Sequence, residues 1–189
     1  MLHPINIIDK NNRLTGEISD PEDASNRGLW HRGAHAILIT PSKLVLVQRR
    51  DPSAVQHANM IELGVGGFVD SDETPEQTII REVYEETGLR ITKSQLVFLG
   101  LTKYNHRWHF KSRQKTTRSI IYSYAVHLKS DQNYVRPERG EVAWVGFITL
   151  KSAGWLMRRG SLKKLGHLLP TYAYYRKIMQ QTMKTFVVK

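Results

Sequence analysis

Three glutamates, Glu82, Glu85 and Glu86, stand at i, i+3 and i+4 in the run REVYEE. On a helix this spacing stacks their carboxylates on one face within about one turn. Like charges so close repel each other, and the cluster costs stability unless a cation sits among them. Hard carboxylate oxygens suit Mg²⁺ or Mn²⁺. An acidic, solvated helix face is the plainer reading of such a cluster taken alone. The residues around it weigh against that reading through the resemblance given below.

Those residues run from Gly67 to Leu89, GFVDSDETPEQTIIREVYEETGL. Thr74 is an N-cap, Pro75 falls at N1, and Gln77 at N3 completes a capping-box pattern. Gly88 supplies the stop. The spacing therefore predicts a helix over about Pro75 to Thr87, with Ile79, Ile80 and Val83 facing a core.

The remaining elements alternate between strand and turn signals. Ile5 to Asp9 and Leu14 to Ile18 read as short strands around the turn Lys10-Asn11-Asn12, followed by a short helix from Asp20-Pro21 to Gly28. Gly33 to Thr40 is a strongly apolar strand, and Lys43 to Arg50 returns as its hairpin partner. Asp51 to Met60 reads as a loop and Ile61 to Gly66 as a strand entering the acidic stretch. Gln95 to Tyr104, Arg118 to Leu128 and Val142 to Val145 are further strands. Arg50, at a strand end, is placed to hold a diphosphate as a fork, although a solvated strand terminus has the same look.

Tyr104 to Arg118, YNHRWHFKSRQKTTR, is expected to be a loop. It has no acid and interleaves five Lys and Arg with Tyr104, Trp108 and Phe110. That mixture suits stacking on bases and holding phosphates, with Lys103 and Tyr104 as candidate substrate contacts, and it is equally the make-up of a basic hairpin loop. Glu138 and Glu141 precede the last strand. Either could complete a metal site or act as general base, and Glu138 is the better placed. Leu162 to Met183 has apolar periodicity for one or two helices, interrupted by Pro170.

With 189 residues the chain is expected to form a single domain, with residues 1–32 as an N-terminal extension and 151–189 as a basic helical segment. It contains no cysteine, which excludes disulfides, zinc–thiolate sites and a thiol nucleophile. No apolar run approaches the ~20 residues of a membrane span, and MLHPINIIDK lacks the order of a secretion signal, so a cytoplasmic protein is expected. The net charge of +11 is uneven. Residues 1–86 carry 8 Lys and Arg against 14 Asp and Glu, net −6, and residues 87–189 carry 20 against 3, net +17. An acidic site beside a basic half suits a polyanionic substrate, a nucleotide or RNA; a merely solubilising basic surface is the alternative.

Gly67, Glu73, Arg81, Glu82, Val83, Glu85, Glu86, Gly88 and Leu89 match G-x5-E-x7-R-E-U-x-E-E-x-G-U at every position. In this the chain resembles the Nudix hydrolases. The resemblance implies an α/β/α sandwich around a mixed sheet, closed by a C-terminal helix. It implies divalent ions, Mg²⁺ or Mn²⁺, on the Gly67 carbonyl and on Glu82, Glu85 and Glu86. It further implies an Arg81–Glu73 ion pair that orients Glu82, and cleavage of a nucleoside diphosphate derivative, NDP–X plus water giving NMP plus P–X. Hydrolysis or binding of RNA 5′ ends is the second reading, and homodimers are frequent among such proteins. INIIDKNNRLTGEISDPEDASNRGLWHRGAHAILIT, followed by KLVLVQRR, is similar to the isopentenyl-diphosphate isomerase branch, and more so to the hydrolase-type relatives within it, with His31 and Arg50 at matching positions. The catalytic cysteine of that branch is replaced by Val65-Gly66-Gly67 and its other metal histidine by a residue near Ala24. Isomerase activity is therefore rejected, and His31 is assigned a structural role.

Overall fold

The computed structural model describes residues 3–54, 57–110, 113–131, 134–162, 166–168 and 172–186. In chain order the elements are β1 (Ile5–Ile8), β2 (Leu14–Ser19), α1 (Pro21–Arg27), β3 (Trp30–Ile39), β4 (Leu44–Arg50), β5 (Ile61–Leu63), β6 (Val65–Phe68), α2 (Pro75–Thr87), β7 (Leu96–Phe110), β8 (Arg113–His127), β9 (Val142–Thr149), α3 (Leu150–Arg159), β10 (Ser161–Leu162), β11 (Gly166–His167) and α4 (Tyr172–Thr185).

One mixed sheet carries β1 to β9. Strand β3 is its axis. It pairs in parallel with β8 from Trp30↔Arg118 to Ile39↔His127, and antiparallel with β6 from Gly33↔Phe68 to Ala36↔Val65. Because strand side chains alternate, β3 feeds two cores. Ala34, Ala36 and Leu38 meet Ile79 and Val83 of α2 on one face. Ile37 and Ile39 meet Leu156 of α3 and Tyr175, Ile178 and Met179 of α4 on the other. Helices on both faces of a mixed sheet make the expected α/β/α sandwich.

Three local expectations are corrected. Ile61 to Gly66 is not one strand: the chain breaks at Gly64 (φ 87°), where an added Cβ would lie 2.0 Å from the Ala36 carbonyl oxygen. The break lets β5 pair with β4 and β6 with β3. Tyr104 to Arg118 is not a loop, since β7 and β8 continue as a paired ribbon through His106↔Thr117 and Trp108↔Lys115. In the C-terminal segment a helix starts at Leu150, with Thr149 as its N-cap, and ends at Gly160. A short β10–β11 hairpin then occupies part of the stretch expected to be helical; Pro170 lies outside the described residues. No helix among the described residues is long and apolar enough to cross a membrane.

Candidate functional site

Helix α2 is fixed at both ends. Thr74 Oγ1 accepts from the Gln77 N–H, the Gln77 side chain accepts from the Thr74 N–H, and Gly88 closes the helix in the left-handed region. With Ile79 and Val83 buried, the helix must turn Arg81, Glu82 and Glu85 toward the strand-end cleft.

Arg81 is the hub of this face. Its guanidinium donates through Nε to Glu73 Oε1 (2.9 Å) and through Nη2 to Glu73 Oε2 (3.0 Å), a two-pronged pair. Its Nη1 donates to Glu82 Oε1 and to Glu85 Oε2, each at 2.9 Å. Thr78 Oγ1 also donates to Glu73, at 2.8 Å. Burial alone would raise the Glu73 carboxyl, but the bonds from Arg81 and Thr78 outweigh it and hold the group below its usual range.

Glu82 lies against Gly67: a Cβ added there would sit 1.9 Å from Glu82 Oε1. Only a glycine lets this carboxylate meet the β6 main chain. Burial pushes the Glu82 carboxyl up to about 7, aided by Glu85 and Glu141 and opposed by Arg81. Glu86 is buried and accepts from Gln48 Nε2 at 3.0 Å. Its carboxyl is raised well above the ordinary range by burial, then by Glu62 and Glu82. Glu138 is raised by burial, then by Glu141 and Glu85.

Gly67, Arg81, Glu82, Glu85, Glu86 and Glu138 wall one cleft of about 890 Å³, which also receives Arg50, Tyr104 and Trp108. Among the described residues, no three His, Asp or Glu side chains stand converged as a cation cage. The reason is visible: the Arg81 guanidinium bridges Glu82 and Glu85. The donor set nevertheless fits a hard divalent ion, with clustered carboxylate oxygens beside the Gly67 main chain. Arg81 Nη1 takes one oxygen of Glu82 and one of Glu85, so each carboxylate keeps a second oxygen for an ion.

Among the residues anticipated for the site, Gly67, Arg81, Glu82, Glu85, Glu86, Glu138, Arg50 and Tyr104 all line the cleft. Glu73 stands behind it, on Arg81. Lys103 does not line it: strand alternation turns this residue to the opposite, exposed face from Tyr104. His31 is fully buried, with Nε2 2.7 Å from Ser119 Oγ and Nδ1 3.2 Å from the Leu29 carbonyl oxygen. Burial lowers its pKa to about 4, so it stays neutral inside the fold.

Sequence reasoning missed a polar group in the cleft wall, Glu62 with His35. Glu62 is raised by burial, its Oε2 is 3.6 Å from Arg50 Nη1, and its Oε1 is 3.8 Å from His35 Nε2. His35 packs edge-on to Tyr174, with ring centres 5.5 Å apart. The available signal was a lone polar residue inside each apolar run, Glu62 in IEL and His35 in AHAIL.

Comparison with known proteins gives a consistent picture. The NUDIX domain family model matches residues 29–165. An uncharacterised Nudix hydrolase of Streptomyces coelicolor is 28% identical over 145 residues, covering 76% of this chain and 73% of its own. Other curated relatives match over shorter stretches, and the chain spans 24% to 50% of their length. Among solved structures, DR0079 of Deinococcus radiodurans superposes with a TM-score of 0.65 at 18% identity, covering 93% of this chain and 99% of that one. The NUDIX domain of Shewanella oneidensis NrtR, complexed with ADP ribose, has a TM-score of 0.58 at 19% identity, covering 86% of this chain and 93% of that one. At these identities the likeness to the solved structures is one of fold.

Proposed function

The chain belongs to the Nudix family as a pyrophosphohydrolase, and from that premise we propose that it cleaves the diphosphate linkage of an organic diphosphate with Mg²⁺ or Mn²⁺ bound. The observation that carries this reading is the contact of Glu82 with Gly67, beside Arg81, in a cleft shared with Arg50 and Glu138. Glu82, Glu85, Glu86 and the Gly67 carbonyl would hold the ion, which supplies neutralising charge to the phosphate oxygens and acidifies bound water.

The chain's own groups do the rest. Glu73 steadies Arg81, and Arg81 holds one oxygen each of Glu82 and Glu85. Arg50, whose partner Glu62 lies 3.6 Å away, presents a guanidinium fork to the diphosphate. Glu138 reaches the same cleft from the loop before β9, and its raised carboxyl makes it a better acceptor for the proton of the attacking water. Release of the nucleoside monophosphate from a panel of nucleoside diphosphate derivatives with Mg²⁺ or Mn²⁺ tests the reading. Turnover that vanishes in Glu85→Gln is the expected result. Turnover unchanged in both Glu82→Gln and Glu85→Gln overturns it.

A further inference from the structure

We infer that His3, held on Asp70, is a further substrate contact, donating from Nε2 to an oxygen of the bound diphosphate. This rests on the diphosphate-cleaving reading and adds to it a residue outside the acidic helix.

Main chain sets the position of His3. The Ser71 N–H donates to the Pro4 carbonyl oxygen at 2.8 Å, and Asn6 Nδ2 donates to the Ser71 carbonyl oxygen at 2.8 Å. Ile5 bridges to Asp70 and is fully buried in a small core that Phe68 joins. These contacts seat the segment before β1 on the loop between β6 and α2 without help from the imidazole. His3 thereby lines the cleft together with Gly67, Asp70, Arg81 and Glu82. Asp70 follows Gly67 by three residues, no more than ~10 Å of extended chain.

The ring is oriented as well as placed. Its Nδ1 is 2.7 Å from Asp70 Oδ2. The Asp70 side chain is 9% exposed, whereas that of His3 is 64% exposed. The same Oδ2 lies 3.6 Å from Arg81 Nη2, which also donates to Glu73. An ionised carboxylate only accepts, so Nδ1 carries the hydrogen of the bond to Asp70. Nε2 is then the nitrogen that gains or loses a proton, and among the described residues nothing bonds to it.

That arrangement suits a phosphate. A neutral ring presents a lone pair at Nε2 and repels a phosphate oxygen, whereas a protonated ring presents a charge-assisted donor to it. The charged groups around the ring are Asp70 and, behind it, Arg81 and Glu73; the nearby ring helps hold the Glu73 carboxyl down. Two carboxylates thus face a guanidinium and an imidazolium, and a phosphate oxygen meets a balanced wall rather than an acidic one. The sheet order β1-β3-β4-β5 places His3, just ahead of β1, and Arg50, at the end of β4, on the two sides of β3. A diphosphate lying over Gly67 is therefore held from both sides, by Arg50 at any pH and by His3 in its protonated form.

The test is binding of methylenediphosphonate, a diphosphate with an uncleavable bridge, to the full chain with Mg²⁺, followed by calorimetry and by NMR of the histidine rings. At pH 6 the ligand should move the Nε2 signal of His3, identified as the one missing from His3→Asn. An asparagine amide reproduces the Nδ1 bond to Asp70 and offers nothing at Nε2, so His3→Asn should weaken binding at least tenfold at pH 6. At pH 8.5, above the range in which histidines lose their charge, the two proteins should bind alike. His3→Gln, whose amide reaches the place of Nε2, should recover part of the loss. Equal affinity of wild type and His3→Asn at pH 6 overturns the inference, since the ring is then only a tether for the segment before β1. A loss of the same size at both pH values also overturns it, as does an unmoved Nε2 signal or an absence of binding at millimolar concentration. No bond is cleaved in this experiment, so failure here leaves the hydrolytic reading standing, and binding through His3 without turnover counts against that reading alone.

Discussion

Adjacent glycines in β6 should fail in opposite ways when a methyl group is added. At Gly67 the new Cβ would lie 1.9 Å from Glu82 Oε1, 2.4 Å from Cδ and 3.0 Å from Cγ. These atoms end a side chain that can swing aside, so Gly67→Ala should cost the fold only about 1 kcal/mol, the low end for overpacking. The displaced group is the carboxylate at the centre of the site, however, and a shift of about 1 Å in a reacting constellation costs on the order of 10²-fold in rate, or ~2.7 kcal/mol. At Gly66 the new Cβ would lie 2.8 Å from the Ala34 carbonyl oxygen, main chain in the centre of the sheet. That obstacle cannot swing, so Gly66→Ala should lose up to about 3 kcal/mol of stability. Denaturant unfolding monitored by circular dichroism, beside kcat for diphosphate cleavage, separates the two. Gly67→Ala with near-native kcat, or with an unfolding midpoint as low as that of Gly66→Ala, would refute the reasoning.

Thr74→Ala removes the capping box of α2 and should cost about 1 kcal/mol, seen as a drop of about 2–4 °C in Tm for a chain of this size. His31 should make stability depend on pH. Its folded pKa of about 4 lies below the ordinary 6.5, so its contribution is complete above pH 6.5 and is lost as pH falls toward 4, by about 3 kcal/mol in all. Glu82 acts in the opposite sense, its raised carboxyl giving stability below pH 4.5 that is lost as pH rises through 7. The readout is therefore the difference between wild type and His31→Asn, whose stability curve should be shallower by about one proton between pH 4 and 6.5; parallel curves would contradict the assignment. Mn²⁺ at 100 times its Kd should add about 2.7 kcal/mol of stability, and Glu85→Gln should remove most of that gain in a thermal melt.

The acidic helix was the most legible part of the chain because every device that makes it is local. Thr74, Pro75, Gln77 and Gly88 lie within 15 residues and set both ends, and Ile79 and Val83 set its buried face. The ribbon was misjudged for a physical reason. Its outward positions, Lys103, Asn105 and Arg107, alternate with Tyr104, His106 and Trp108. That is a strand pattern, but the abundance of basic residues gave it the composition of a loop. The partners that define the site across the fold were beyond reach: His3 and Asp70 are 67 residues apart, and nothing local to either marks the pair. The burial of Glu62 and His35 likewise depends on α4 closing over the sheet. In the last segment, the first helix, ended by Gly160, lies before the stretch expected to be helical; Pro170 lies outside the described residues.

The central claim is that the acidic face of α2 is the seat of diphosphate hydrolysis. The most direct test is release of the nucleoside monophosphate from nucleoside diphosphate derivatives by wild type, Glu82→Gln and Glu85→Gln, with Mg²⁺ or Mn²⁺ and with each variant shown to be folded. The account predicts turnover in the wild type that both variants reduce by several orders of magnitude at an unchanged fold. Turnover that survives in both would contradict it and move the chemistry away from this helix.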